Sequence, residues 1–105
     1  MSKSSTIIAE NKLPPIHPGE HLRDEMEVLK LSGNQFAQAL GVPTNRLTEI
    51  VAGRRGITAD TALRLGRYFG NGGAIWMRLQ VAYDLRVAEI EKGEEITRTV
   101  RPRAA

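Results

Sequence analysis

Cysteine is absent from the 105 residues. That excludes disulfides and thiolate metal sites, and it suits a reducing compartment. Aromatic residues are scarce, with one Trp, two Tyr and two Phe, so a core must be built mostly from Leu, Ile, Val and Ala. No run approaches the roughly 20 apolar residues that cross a bilayer, and the polar residues 1–6 carry no secretory signal. The chain is expected to be cytoplasmic, with no membrane partner. Histidine is limited to His17 and His21, four apart beside Glu20. No third ligand follows, and Pro18 marks His17 as a helix entry, so neither a metal nor a cofactor is expected. A glycine-rich phosphate loop is also missing. The pair Glu94-Glu95 lies in a charged C-terminal stretch where no pocket tunes a carboxyl. An enzyme is therefore not expected.

What is present fits one folded domain: 41% of residues are hydrophobic and 26% charged, with a net charge of +3. The pI of about 9.7 is weak testimony for nucleic acid on its own. Its distribution says more. Residues 44–67 hold Arg46, Arg54, Arg55, Arg64 and Arg67 against Glu49 and Asp60, whereas residues 18–30 hold Glu20, Asp24, Glu25 and Glu27 against Arg23 and Lys30. DNA would prefer the first stretch and a basic protein the second.

Apolar spacing predicts five helices. Pro18 suits a first helical turn, and Leu22, Met26 and Leu29 form a stripe behind it. Ser32 is a candidate N-cap for a second helix over about 34–40. A third runs over about 44–52 and a fourth follows Thr58, with Asp60 opposing the helix dipole in its first turn. The fourth buries Ala62, Leu65, Gly66 and Phe69. The fifth covers about 74–89 and carries two apolar stripes. Trp76, Leu79 and Tyr83 read as core, while Met77, Val81, Leu85 and Ala88 read as a dimer interface. That second stripe could instead cover the chain's own first helix. Residues 1–17 read as a flexible arm, 18–89 as the DNA-binding and dimerisation domain, and 90–105 as a basic, mobile tail.

The run Gly33–Ala52 has the spacing of a DNA-reading helix-turn-helix. Ala37 falls where two helices cross and Gly41 where the first must end left-handed. Phe36, Leu40, Val42, Leu47 and Ile50 close a small core beneath the crossing. The start of the third helix then faces the major groove. Thr44, Asn45 and Arg46 are the candidate base readers, with Thr48 and Glu49 one turn later. Asn34 and Gln35, at the start of the second helix, are candidate phosphate contacts. Arg54 and Arg55 lie in the Gly-flanked turn, either as phosphate clamps or as ordinary solvated residues. One such helix reads only a few base pairs, so two copies spaced by one duplex turn, about 34 Å, are required.

Four runs carry a more specific likeness: His17-Pro18-Gly19-Glu20, Leu40-Gly41-Val42-Pro43, Gly53 through Leu65, and Trp76-Met77-Arg78-Leu79-Gln80-Val81-Ala82-Tyr83-Asp84-Leu85. Over about residues 14–89 the chain resembles the HigA-type antitoxins, within the broad Xre-like, phage-repressor-type helix-turn-helix class. The resemblance implies an all-α, compact five-helix bundle. It also implies a homodimer on a palindromic operator in double-stranded DNA upstream of its own operon, and a cognate HigB-type toxin. That toxin would be a small RelE-like, ribosome-dependent, mRNA-cleaving protein that the chain silences. The alternative is a free-standing Xre-type transcriptional regulator with no toxin partner.

Overall fold

The computed structural model describes residues 13–104. Five helices appear in the order α1 (Pro18–Leu29), α2 (Gly33–Leu40), α3 (Thr44–Val51), α4 (Ala59–Phe69) and α5 (Gly73–Thr99). Among the described residues there is no strand. The all-α five-helix expectation therefore holds.

Local chemistry explains most of the boundaries. Pro18 opens α1, where its missing N–H is no loss. His17 caps it, its Nδ1 accepting from the Gly19 N–H at 2.9 Å. Ser32 and Gln35 form a reciprocal capping box on α2: the Ser32 Oγ accepts from Gln35 N at 3.1 Å, and the Gln35 Oε1 accepts from Ser32 N at 2.9 Å. Gly41 ends α2 at φ 72°, where a side chain is disfavoured. Thr58 caps α4 through Thr61 N. Lys30 ends α1 in the left-handed region at φ 56° without being glycine.

The core lies where α1, α2, α3 and α4 meet the first turns of α5. Leu22, Phe36, Leu47, Ile50 and Leu65 are fully buried, joined by Ala37, Leu40, Ile57, Ala62 and Trp76. Each large side chain contributes about 1.5–3 kcal/mol through burial. With few aromatics available, four of the five cluster. Phe36 meets Tyr68 and Phe69 edge-on at 5.5 and 5.9 Å, and Phe69 lies 5.5 Å from Trp76. Leu29, expected on the buried stripe of α1, is instead 43% exposed, at the residue where the helix ends.

Two glycines permit the tightest approaches. A Cβ on Gly19 would stand 2.0 Å from the Ile50 carbonyl oxygen, so α1 crosses the end of α3 backbone to backbone. A Cβ on Gly66 would stand 2.1 Å from the Gly72 carbonyl carbon, where the chain turns from α4 into α5.

The chain ends differ from the expected division. Residues 1–12, most of the expected arm, lie outside the described residues. Its last residues are tied down: the Leu13 carbonyl accepts from Arg86 Nε at 2.8 Å, and His17 is buried with its ring 4.9 Å from that of Tyr83. The expected break at Glu89 is also corrected, because α5 continues through Thr99. Glu, Lys and Ile sustain the helix there. Among the residues of α5, only Trp76 and Gln80 are buried. Its second half therefore leaves the bundle, and the described residues extend over 52 × 24 × 23 Å.

Candidate nucleic-acid interface

Helix α3 is seated by its apolar side. Leu47 and Ile50 are 1% exposed, and Val51 packs on the same core. Gly19 lets α1 lie against its last turn, and Arg23 Nη2 donates to the Val51 carbonyl at 3.1 Å. The opposite side is left outward. Thr44, Asn45 and Thr48 are exposed, while Arg46 and Glu49 are half-buried. Pro43 supplies no side-chain cap at the start of α3, so its first N–H groups are not covered by one.

The structure joins several candidate contact residues. The Thr44 hydroxyl donates to the Asn34 Oδ1 at 2.8 Å, tying the start of α3 to the start of α2. That brings the expected base readers and one expected phosphate contact onto one edge. Gln35 is nearby, but its carbonyl oxygen is committed to the capping box, leaving its amide nitrogen available. The Thr48 hydroxyl donates back to the Asn45 carbonyl at 3.2 Å.

The charged residues are less independent than the sequence suggests. Arg46 Nη1 donates to Asp60 Oδ2 at 3.1 Å, and Arg64 Nε donates to the same oxygen at 2.9 Å. Arg55 pairs with Glu49 at 2.8 Å. Among the described residues Arg54 has no ion pair, so of the two turn arginines it keeps the less compensated charge. Arg46, Arg55, Thr58, Asp60 and Arg64 surround a shallow cleft beside α3.

Three residues shape this surface in ways the sequence does not show. Arg64 reaches the end of α2, donating from Nη1 to the carbonyls of Leu40 at 3.1 Å and Gly41 at 3.2 Å. Gln80 is buried; its Oε1 accepts from Ile57 N at 2.7 Å and its Nε2 donates to Asp84 at 3.0 Å. It fastens the basic turn to α5, and the one available signal was a lone amide beside an apolar stripe. Asp60 was expected only to oppose a helix dipole.

Arg64, by hydrogen bond and by charge, lowers the pKa of Asp60 below its ordinary value of 3.8, with Arg46 adding to this and desolvation opposing it. A lowered carboxyl stabilises the fold above its unfolded pKa and loses that effect as pH falls through the folded value. The stability difference between wild type and Asp60→Asn is thus expected to be constant from about pH 8 to 5 and to close only below about pH 4. Melting curves across that range check this.

The expected dimer stripe divides. Met77 is half-buried against the chain's own core, so it serves the bundle as well. Val81 and Leu85 remain 48% and 60% exposed, and Ala88 is exposed in line with them. They do not fold back on α1. Trp76 is core as expected, its Nε1 donating to Asn71 at 3.2 Å. His17 and His21 separate in role: the first caps α1, and the second lines a cleft with Asp24, Glu25 and Ile75. Among the described residues no helix is long and apolar enough to cross a membrane.

Known proteins share this arrangement. The helix-turn-helix family model matches residues 22–74. Virulence-associated protein I of Dichelobacter nodosus is 52% identical over 84 residues, covering 79% of this chain and 78% of that one. An addiction module antidote protein of the HigA family from Coxiella burnetii superposes with a TM-score of 0.85 at 49% identity, covering 87% of this chain and 100% of that one. The Pseudomonas aeruginosa antitoxin HigA, solved with the higBA promoter, has a TM-score of 0.83 at 43% identity, covering 86% of this chain and 99% of that one. The chain therefore belongs to the Xre-like helix-turn-helix family, in its HigA-type antitoxin branch.

Proposed function

We propose that the chain is a homodimeric antitoxin that binds a palindromic operator of its own operon and neutralises a RelE-like, mRNA-cleaving toxin. The observation that carries the DNA half is the outward edge of α3. Thr44, Asn45 and Thr48 are exposed above a helix whose Leu47 and Ile50 are locked into the core. Such an edge enters a major groove with little reorganisation. Asn34 and Gln35 approach the backbone from the start of α2, and Arg54 and Arg55 flank the groove. The promoter-bound Pseudomonas aeruginosa HigA supports this reading. The exposed Val81, Leu85 and Ala88 supply the two-fold contact that pairs two reading helices. For the toxin, the exposed acidic residues Glu20, Asp24 and Glu27 on α1 suit a basic partner.

Two substitutions separate the roles of the arginines. Arg46→Ala is expected to cost about 1–3 kcal/mol on the preferred duplex and to relax base choice at one position. Arg54→Ala is expected to weaken all duplexes alike and reduce the salt slope by about 1. Gel-shift titrations at several salt concentrations measure both. For the toxin half, co-expression with the product of the adjacent short gene is the test. Rescue of growth and co-purification support the reading. A neighbour harmless on its own leaves a free-standing regulator.

A further inference from the structure

The carboxylate of Asp60 joins two arginines from different helices. Arg46 on α3 donates to it from Nη1, and Arg64 on α4 donates from Nε to the same oxygen. Arg64 is itself anchored on the carbonyls of Leu40 and Gly41 at the end of α2. A continuous set of bonds therefore runs from the rigid turn of the helix-turn-helix to the guanidinium on α3. With Nη1 taken, Arg46 keeps its Nε and Nη2 donors, which point the same way. Neither has a hydrogen-bond partner among the described residues. That is a donor pair suited to bidentate contact with guanine O6 and N7.

We propose that Asp60 is a positioning residue that sets sequence selectivity: it holds Arg46 so that the Nε/Nη2 edge is offered to base edges in one orientation. The inference rests on the nucleic-acid reading above and adds to it the residue that tunes base choice. The side chains of Arg46 and Asp60 are 32% and 58% exposed, so the pair adds little to stability. Its consequence is orientation. An unrestrained arginine samples many rotamers and must be ordered on binding, whereas a held one has lost much of that freedom beforehand. An anion beside a polyanion also weakens binding to every sequence. Asp60 thus trades general affinity for discrimination, as expected of a specificity device.

The test uses the full chain and duplexes selected by it from a randomised pool. Arg46→Ala first identifies the base position that this side chain reads. Asp60→Glu keeps the charge and moves the carboxylate by one methylene. It is expected to lower discrimination at that position about fivefold, the upper range for an exposed pair, with affinity for random duplex unchanged. Asp60→Asn is expected to lower discrimination similarly while raising affinity for random duplex. In the Arg46→Ala background neither change should alter discrimination. Full discrimination in Asp60→Glu, equal strengthening of all duplexes by Asp60→Asn, or an effect that persists without Arg46 would each overturn the inference. Melting curves verify folding, and if one variant unfolds the other decides. A wild-type chain that selects no sequence removes the DNA reading itself. A chain that selects a sequence on which Arg46→Ala has no effect removes this inference alone.

Discussion

Gly19→Ala is expected to destabilise the protein by about 3 kcal/mol, at the upper end for overpacking, lowering the melting temperature by roughly 15 °C. The added Cβ would sit 2.0 Å from the Ile50 carbonyl oxygen, 2.9 Å from its carbon and 3.0 Å from the Val51 Cα. All three are backbone atoms, so no rotamer change relieves the contact. The Ile50 carbonyl also accepts from Gly53 N at 3.0 Å, so α3 cannot yield without disturbing the turn that carries Arg54 and Arg55. Whatever fold survives should hold α3 displaced, and DNA affinity should fall with stability. Gly93→Ala is the control. Gly93 lies within α5 and a Cβ there meets nothing within 4 Å, so alanine should stabilise by about 0.5–1 kcal/mol. Thermal melting followed by circular dichroism measures both. A loss below about 1 kcal/mol for Gly19→Ala, under the usual overpacking range, would mean that the crossing of α1 and α3 is looser than described.

On the proposed two-fold dimer, Leu85→Asp is expected to leave the monomer's melting temperature nearly unchanged, convert dimer to monomer and weaken operator binding about a hundredfold. Leu85 is 60% exposed, so the fold loses little. In a two-fold interface the same residue appears on both sides, and two carboxylates would be buried without partners. Separating the subunits removes the linkage between half-sites, which is worth about 10²–10⁴ in affinity for two joined modules. Sedimentation and gel-shift titration of the same preparation check the two effects together. A variant that stays dimeric removes the Val81, Leu85 and Ala88 stripe as the interface.

Most helix boundaries were legible because their causes are local. Ser32, Gly41 and Thr58 stop or start helices through bonds that span only a few residues. The end of α5 was not legible. No strong cap separates Glu89 from Thr99, and a charged run containing Gly93 reads as a tail until a helix is seen to pass through it. The Lys30 cap was not legible either, because a left-handed non-glycine cap has no sequence mark of its own. The candidate contact residues on α3 were placed by helical periodicity, and the outward side of the helix follows once Leu47 and Ile50 are inside.

From the sequence alone came the five helices, the family, and the division of α3 into a buried and an outward side. These depend on spacing of 3.6 residues per turn and on caps whose partners lie nearby in the chain. Tertiary structure alone decided what the charges do. Arg46 meets Asp60 across 14 positions, Arg64 reaches Leu40 across 24, and Gln80 holds Ile57 across 23. Such pairs form only when helices with no local relation are brought together by the core. A side chain's neighbours in space, not in sequence, set which of its donors remain for a ligand.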